Sequence, residues 1–341
     1  MTRSMSRAAG AIAHGARGRL LAYSALVAAA WAGAALAQPA NVHRVGYLIV
    51  ASATEQAHLT RAFEEAMREL GYVEGRNVVY ERRYADGRTE RLPALAAALV
   101  SLKPDVIVTG ANPVVDAVRD ATTTIPVVMT TGRDAVGAGY VASYARPGRN
   151  ITGLVTDPAP EAIGKHVEIL RELLPGARRV ALLWNPVPSG AGTYRAAAAA
   201  AAARVGLALH VVELRSRDGL DQAFAEIARE RVDAVWVLPD PLAYTGRVDV
   251  VRLIRQHRLP SIFWQREFVD EGGLVAYGSN VAQNFRRAAS FVDRILKGAR
   301  PGDLPIEQPT RFELVVNPAA AAALGIPIPA ALLRRADDVV R

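Results

Sequence analysis

Cysteine is absent from all 341 residues. That single absence excludes disulfides, thiolate metal sites, a cysteine nucleophile and a lipid-carrying N-terminal cysteine. Aromatic residues make up only 6% of the chain. Five histidines follow residue 37 (His43, His58, His166, His210 and His257), dispersed without metal-ligand spacing, so no metal site is expected. The nucleotide and hydrolase signatures G-x-x-x-x-G-K-[ST], G-x-G-x-x-G after a strand, G-x-S-x-G and H-E-x-x-H are missing as well. Gly137-Ala138-Gly139 lacks the third glycine of a dinucleotide fingerprint. No enzyme class is therefore signalled, and no cofactor is expected.

Residues 1–37 differ from the rest. Their charges, Arg3, Arg7, Arg17 and Arg19, all precede the apolar run from Leu20 to Ala37, which ends Ala35-Leu36-Ala37. A basic start, a short apolar stretch and small residues at the −3 and −1 positions are the layout of a secretory signal peptide. The run is close to the minimum length of a spanning helix, but it is rich in Ala and Gly, so cleavage near Ala37 is expected. Secretion without a lipid tether fits the periplasm. Four of the 41 basic residues would leave with the signal, so 37 basic against 33 acidic residues give about +4 instead of +8. The remaining basic residues are scattered in pairs such as Arg82-Arg83 and Arg286-Arg287, without a run or aromatic interleaving, so no nucleic-acid partner is expected.

The remaining chain alternates short Val/Ile/Leu-rich runs with amphipathic stretches. Strands are expected at 42–50, 77–84, 105–110, 125–130 and 151–156, and again at 179–184, 207–214, 233–238 and 260–264. Such continuous apolar runs suit parallel strands covered on both faces. Helices are expected from Glu55 to Leu70, stopped by Gly71, from Arg195 to Arg204 around eight consecutive alanines, and from Ala282 to Lys297. About 300 residues exceed one hydrophobic core. Two tandem βαβ series imply an α/β protein of two doubly wound Rossmann-like lobes joined by a multi-crossover hinge. The expected division is 1–37 signal peptide; 42–154 plus about 273–305 in lobe 1; 155–272 plus about 306–341 in lobe 2.

Ligands of open parallel sheets bind beyond the carboxyl ends of the strands. Six loops at such positions are polar or glycine-rich: Ser52–Glu55, Thr109–Pro113, Thr131–Asp134, Trp184–Pro186, Pro239–Pro241 and Trp264–Glu267. Free N–H groups at the helix starts can hold a carboxylate, and an Asp opposite can hold an ammonium group. Trp184, Trp264 and Tyr277 are candidates for stacking on a ring. The acid cluster Glu267, Asp270 and Glu271 precedes Gly272-Gly273, which points to an interdomain crossing at 265–275 instead of a catalytic pair or metal ligands.

Four long motifs, "AFEEAMRELGYVEGRNV", "DAVGAGYVASYARPGRNITGL", "REFVDEGGLVAYGSN" and "DLPIEQPTRFELVVNPAAAAALGIPIP", resemble the ABC-transporter substrate-binding proteins of the tryptophan/tyrosine-binding-like group, in order from about Val42 to Val340. The resemblance implies a type I periplasmic binding fold, three crossovers and a ligand clamped between the lobes. Its cleft positions fall on Ser52 and Thr54, on Gly110 and Asn112, on Asp134, Asn185 and Asp240, and on Tyr277, Ser279 and Asn280. Two turns depart from the family pattern. A loop that usually reads Gly-Asp-Pro-Val-Gly is Arg133-Asp134-Ala135-Val136-Gly137, and Arg149 replaces a glycine in Arg146–Asn150. Arg133 either pairs with Asp134 or meets an anionic group. The implied function is a non-enzymatic periplasmic receptor, expected as a monomer, that delivers a small polar ligand such as an amino acid to an ABC permease in the inner membrane. A sensor for a membrane signalling receptor or a periplasmic enzyme on the same fold are the alternatives.

Overall fold

The computed structural model describes residues 42–156, 160–188 and 191–340; the expected signal peptide lies outside them. His43–Arg341 form one compact unit. Its first half runs β1 (His43–Ile49), α1 (Ala53–Glu69), β2 (Val78–Tyr84), α2 (Leu92–Ser101), β3 (Val106–Thr109), α3 (Asn112–Ala121), β4 (Val127–Gly132) and β5 (Ile151–Val155). The five strands form a parallel sheet in the order β2-β1-β3-β4-β5. The centres of β1, β3 and β4 are continuous apolar runs, Val45–Ile49, Val106–Val108 and Val127–Met129, because helices cover both faces and leave no solvent side to require alternation.

The second half continues with α4 (Pro160–Leu173), β6 (Arg179–Trp184), α5 (Ala191–Arg204), β7 (Ala208–Glu213), α6 (Leu220–Arg229), β8 (Ala234–Val237), α7 (Pro241–Thr245), α8 (Arg247–Gln256), β9 (Ser261–Phe263), α9 (Glu267–Asp270) and β10 (Val275–Ser279). Then follow α10 (Val281–Leu296), β11 (Phe312–Val316), α11 (Pro318–Leu324), α12 (Ala330–Arg335) and β12 (Asp338–Val339). The second sheet has seven strands in the order β12-β11-β10-β9-β8-β6-β7, parallel except for the antiparallel pair β10–β11. Both sheets thus repeat one winding: the second strand lies outside the first, and the later ones add on the other side. The reversal puts a topological switch point at β1/β3 and another at β6/β8.

Four buried clusters fill the spaces between sheets and helices. In the first lobe, Val45, Tyr47, Ile49, Leu59, Phe63, Met67, Phe285 and Phe291 pack β1 under α1 and α10. Leu48, Leu99, Ile107, Val115 and Met129 pack the opposite face. The second lobe has the same arrangement, with Trp236 on one face and Phe224, Phe263 and Phe268 on the other. The polyalanine helix α5 buries Ala198, Ala201 and Ala202, small side chains that allow close approach to its neighbours.

The lobe boundaries differ from the expected ones. Residues 273–305 are expected in lobe 1, yet β10 of that stretch pairs with β9 and β11 in the second sheet. The chain crosses back only at Asn280, after which α10 packs on α1. It returns after Glu307, whose backbone pairs with Gly153 and whose neighbour Ile306 donates to the Tyr144 carbonyl. The stretch 265–275 is no crossing. Phe268 and Val269 of α9 are fully buried in the second lobe, and the flanking acids hold arginines: Asp270 with Arg266 at 3.2 Å and Glu271 with Arg247 at 3.3 Å. Glycines at 272 and 273 end this short helix, and Gly272 takes a φ of +104°.

Helix α1 starts on a capping box. Ser52 Oγ accepts from the Glu55 backbone at 3.4 Å, and Glu55 Oε2 accepts from the Ser52 N–H at 2.9 Å. Ser52→Ala is expected to lower stability by about 1 kcal/mol, a fall of roughly 2–4 °C in Tm, measurable by calorimetry on the purified chain.

Candidate functional site

The carboxyl ends of both sheets face one cleft, and a cavity lies in it. Its inner wall comes from the first lobe: Tyr47 and Ile49 of β1, Leu59 of α1, and Val281 and Phe285 of α10. These are core positions by pattern. Its mouth is polar. Gln56, Gly110, Thr131, Arg133 and Thr156 contribute from the first lobe side, and Asp240, Gln265 and Ser279 from the second, with Tyr244 and Trp264 as aromatic walls.

Strand β4 shifts register against β5 between Met129 and Gly132. A bulge of this kind re-aims the residues that follow, and here Thr131 and Arg133 reach the cavity. Thr131 Oγ1 accepts from the Ala111 N–H at 2.9 Å. A side chain at Gly110 would come within 2.8 Å of that hydroxyl, so the loop needs glycine there.

Asp240 is the carboxylate of the cavity wall. It is 4% exposed and caps α7 by accepting from the Ala243 N–H at 2.9 Å, while its other oxygen accepts from Asn185 Nδ2 at 3.1 Å. Burial raises its pKa, and the Ala243 N–H and the Arg133 charge oppose that rise. The hydroxyls of Tyr47 and Tyr244 are buried in the wall and have no hydrogen-bond partner among the described residues. Burial also raises both phenol pKa values, so they remain protonated and available as donors.

Of the ten positions expected in the cleft, Gly110, Asp240 and Ser279 line this cavity. Asn185 stands behind Asp240. Asn112 is buried and exchanges two hydrogen bonds with the Arg133 backbone, at 2.8 and 2.9 Å. Asp134 accepts from the Gly137 N–H at 3.0 Å and sits at a φ of +44°. Ser52 caps α1, and Thr54 is exposed in its first turn. Tyr277 stacks on Phe312 with ring centroids 5.7 Å apart, and Asn280 caps α10 and holds Glu313 at 3.0 Å. Trp264 lines the cavity, its ring tilted against Phe268 with centroids 4.7 Å apart. Trp184 does not: its indole N–H donates to the Ala191 carbonyl and Arg195 lies over its ring.

Tyr47, Ile49, Gln56, Leu59, Tyr244, Val281 and Phe285 are cavity residues that sequence reasoning does not single out. Most read as ordinary core by period. Tyr47 carries the available signal, a polar tip within an otherwise apolar strand. Among the described residues, no group of three His, Asp or Glu is placed to hold a metal ion, and no helix is long and apolar enough to cross a membrane.

Two doubly wound lobes with several crossings, closing on one cavity, define a type I periplasmic binding protein. The chain belongs to the ABC transporter substrate binding protein family, whose model matches residues 45–340. A conserved domain protein from Vibrio cholerae O1 biovar eltor shares the structure with a TM-score of 0.82 at 28% identity, over 88% of this chain and all of that one. A domain from Streptococcus pneumonia, crystallised in complex with L-Trp, also gives 0.82, at 24% identity over 88% of this chain and 100% of its own. The tyrosine-binding protein of Clostridioides difficile is 24% identical over 264 residues, 77% of this chain and 75% of that protein.

Proposed function

We propose that the protein is the solute receptor of an ABC importer, working in the periplasm by binding and cleft closure without catalysis. The observation that carries this reading is the cavity walled by both lobes. Its interior is divided between apolar groups of one lobe and polar groups drawn from both, the division expected of a small-molecule site. A ligand that matches has a flat apolar body and a charged or polar end. An aromatic amino acid has that form, and the ligands named for two relatives, L-Trp and tyrosine, agree with it.

The mechanism follows from which lobe supplies which contact. The ligand body enters between β1, α1 and α10 while the cleft is open. Tyr244, Asp240, Trp264 and Gln265 reach it only on closure, so their contacts favour the closed state. Driving a population from mostly open to mostly closed takes about 5.5 kcal/mol of differential affinity. The closed receptor then docks on its permease in the inner membrane. We assign to lobe 1 residues 43–156 with 281–307, to lobe 2 the remainder after 160, and to residues 1–37 a signal peptide cleaved near Ala37.

A thermal-shift panel of amino acids, nucleosides and small carboxylates on the chain from residue 38 tests the reading. Aromatic amino acids are expected to raise Tm progressively with concentration, as binding to the folded state alone requires. A flat response across the whole panel would remove the small-molecule receptor.

A further inference from the structure

We propose that Arg133 is a bolt between the lobes, holding the closed form through a contact that the ligand does not supply. The residue belongs to the first lobe, immediately after β4. Its backbone is fixed from both sides by the Asn112 amide, which accepts from the Arg133 N–H at 2.9 Å and donates to its carbonyl at 2.8 Å. The next residue, Asp134, holds a left-handed backbone closed by its bond to the Gly137 N–H. The base of the arginine is therefore held in place, and closure has only its side-chain rotamers to fix.

The other end of the side chain is in the second lobe. Arg133 Nη1 donates to the Pro239 carbonyl, the guanidinium carbon lies 5.6 Å from the centre of the Tyr194 ring, and the Asp240 carboxylate contributes an opposite charge. All three partners belong to the β8–α7 turn or to α5. The Pro239 carbonyl is a main-chain group, so the bolt needs a donor of the right reach and nothing from the ligand.

One other side-chain pair bridges the cleft among the described residues: His58 on α1 with Glu267 on α9 at 3.2 Å. The His58 side chain is 47% exposed, and pairs of that exposure contribute little. Arg133 is half-buried and makes a charged hydrogen bond, a type whose removal shifts an equilibrium by about ten- to hundredfold. Arg133 is accordingly the bridge that controls the balance. Closure that is already favoured without ligand raises apparent affinity in proportion to the closed fraction.

The inference rests on the two-lobed receptor reading, and its test needs no ligand. The chain has no native cysteine, so Glu90→Cys and Val187→Cys, both exposed near the carboxyl ends of β2 and β6, allow spin labels on opposite rims. Distance distributions are then measured by double electron–electron resonance in the free protein, in Arg133→Met and in Arg133→Lys. The parent is expected to populate a short distance that Arg133→Met depletes at least tenfold in favour of longer ones. Lysine, which keeps the charge and one directed donor, is expected to restore part of it. Circular dichroism should match the parent in both variants, since the guanidinium belongs to no core cluster of its own lobe. Identical distributions for the parent and Arg133→Met would overturn the bolt, even if the thermal-shift panel finds a ligand. A flat panel with a shifted distribution would remove the receptor reading and leave the bolt standing.

Discussion

Lowering the pH from 6.5 to about 4 is expected to cost the folded protein about 3 kcal/mol through one residue, His166. It lies on α4, 3% exposed, between the rings of Trp236 and Tyr277 at 5.6 and 5.9 Å. Its Nε2–H donates to the Tyr277 carbonyl at 2.6 Å. Burial lowers its pKa from 6.5 to about 4, outweighing the hydrogen bond to the Tyr277 backbone that favours the charged form. The unfolded chain takes up this proton near pH 6.5 and the folded one only near pH 4. Between those values the unfolded state binds more protons, so stability falls as pH falls. The full contribution is present above pH 6.5, and a displacement of about 2.5 pH units corresponds to about 3 kcal/mol. Asp240 acts in the opposite sense, because a raised carboxyl pKa favours the folded state on acidification. Urea denaturation at pH 7, 5.5 and 4.5 on the parent and on His166→Gln isolates the histidine. The stability difference between the two should change by about 2 kcal/mol across the range, the rest being lost below pH 4.5. A constant difference would show that His166 does not titrate as its burial requires.

Tyr277, the acceptor of that histidine, also shows how far the sequence could be read. Strand positions were legible because continuous Val/Ile/Leu runs have little alternative in a parallel sheet: the expected 179–184 and the observed Arg179–Trp184 coincide, and others differ by one or two residues. The lobe that owns β10 was not legible. "LVAYGS" has no signal for which sheet it joins, because its pairing with Ile262 and Phe263 is a contact between strands that no local pattern records. The site divides in the same way. Asp240 stands out as an Asp-Pro helix start at a strand end, a local chemical feature. The bulge in β4 that aims Arg133 leaves no mark on "IPVVMTTG", since it is a mismatch between two strands. Tyr47, Leu59 and Phe285 sit at the spacing of core residues, and period cannot distinguish a wall with space beyond it from a wall against another side chain. Asn112 and Asp134 were visible as polar loop residues, but their partners, Arg133 and Gly137, are set by the turn they build.

Gly278→Ala is expected to lower stability by about 3 kcal/mol or more, with a fall in Tm of roughly 6–12 °C. The position follows Tyr277 in β10, opposite Glu313 of β11. A methyl group there would lie 1.7 Å from the Trp264 carbonyl oxygen and 2.7 Å from its carbon. Both atoms are main chain, so no rotamer can relieve the overlap. Either β10 leaves the end of β9 or the Trp264–Gln265 segment moves, and Trp264, Gln265 and Ser279 all line the cavity. The same substitution should therefore weaken binding of any ligand found by thermal shift, beyond what lower stability explains. Gly192→Ala is the matched control. Gly192 lies in α5 with nothing within 4 Å of the added methyl, and alanine in a helix is expected to stabilise by about 0.5–1 kcal/mol. Opposite signs for the two glycines would locate the strain at the carbonyl of Trp264. Equal, small effects would mean that β10 and the Trp264 turn are farther apart in solution, and the polar mouth of the cavity would then lose the wall that closes it.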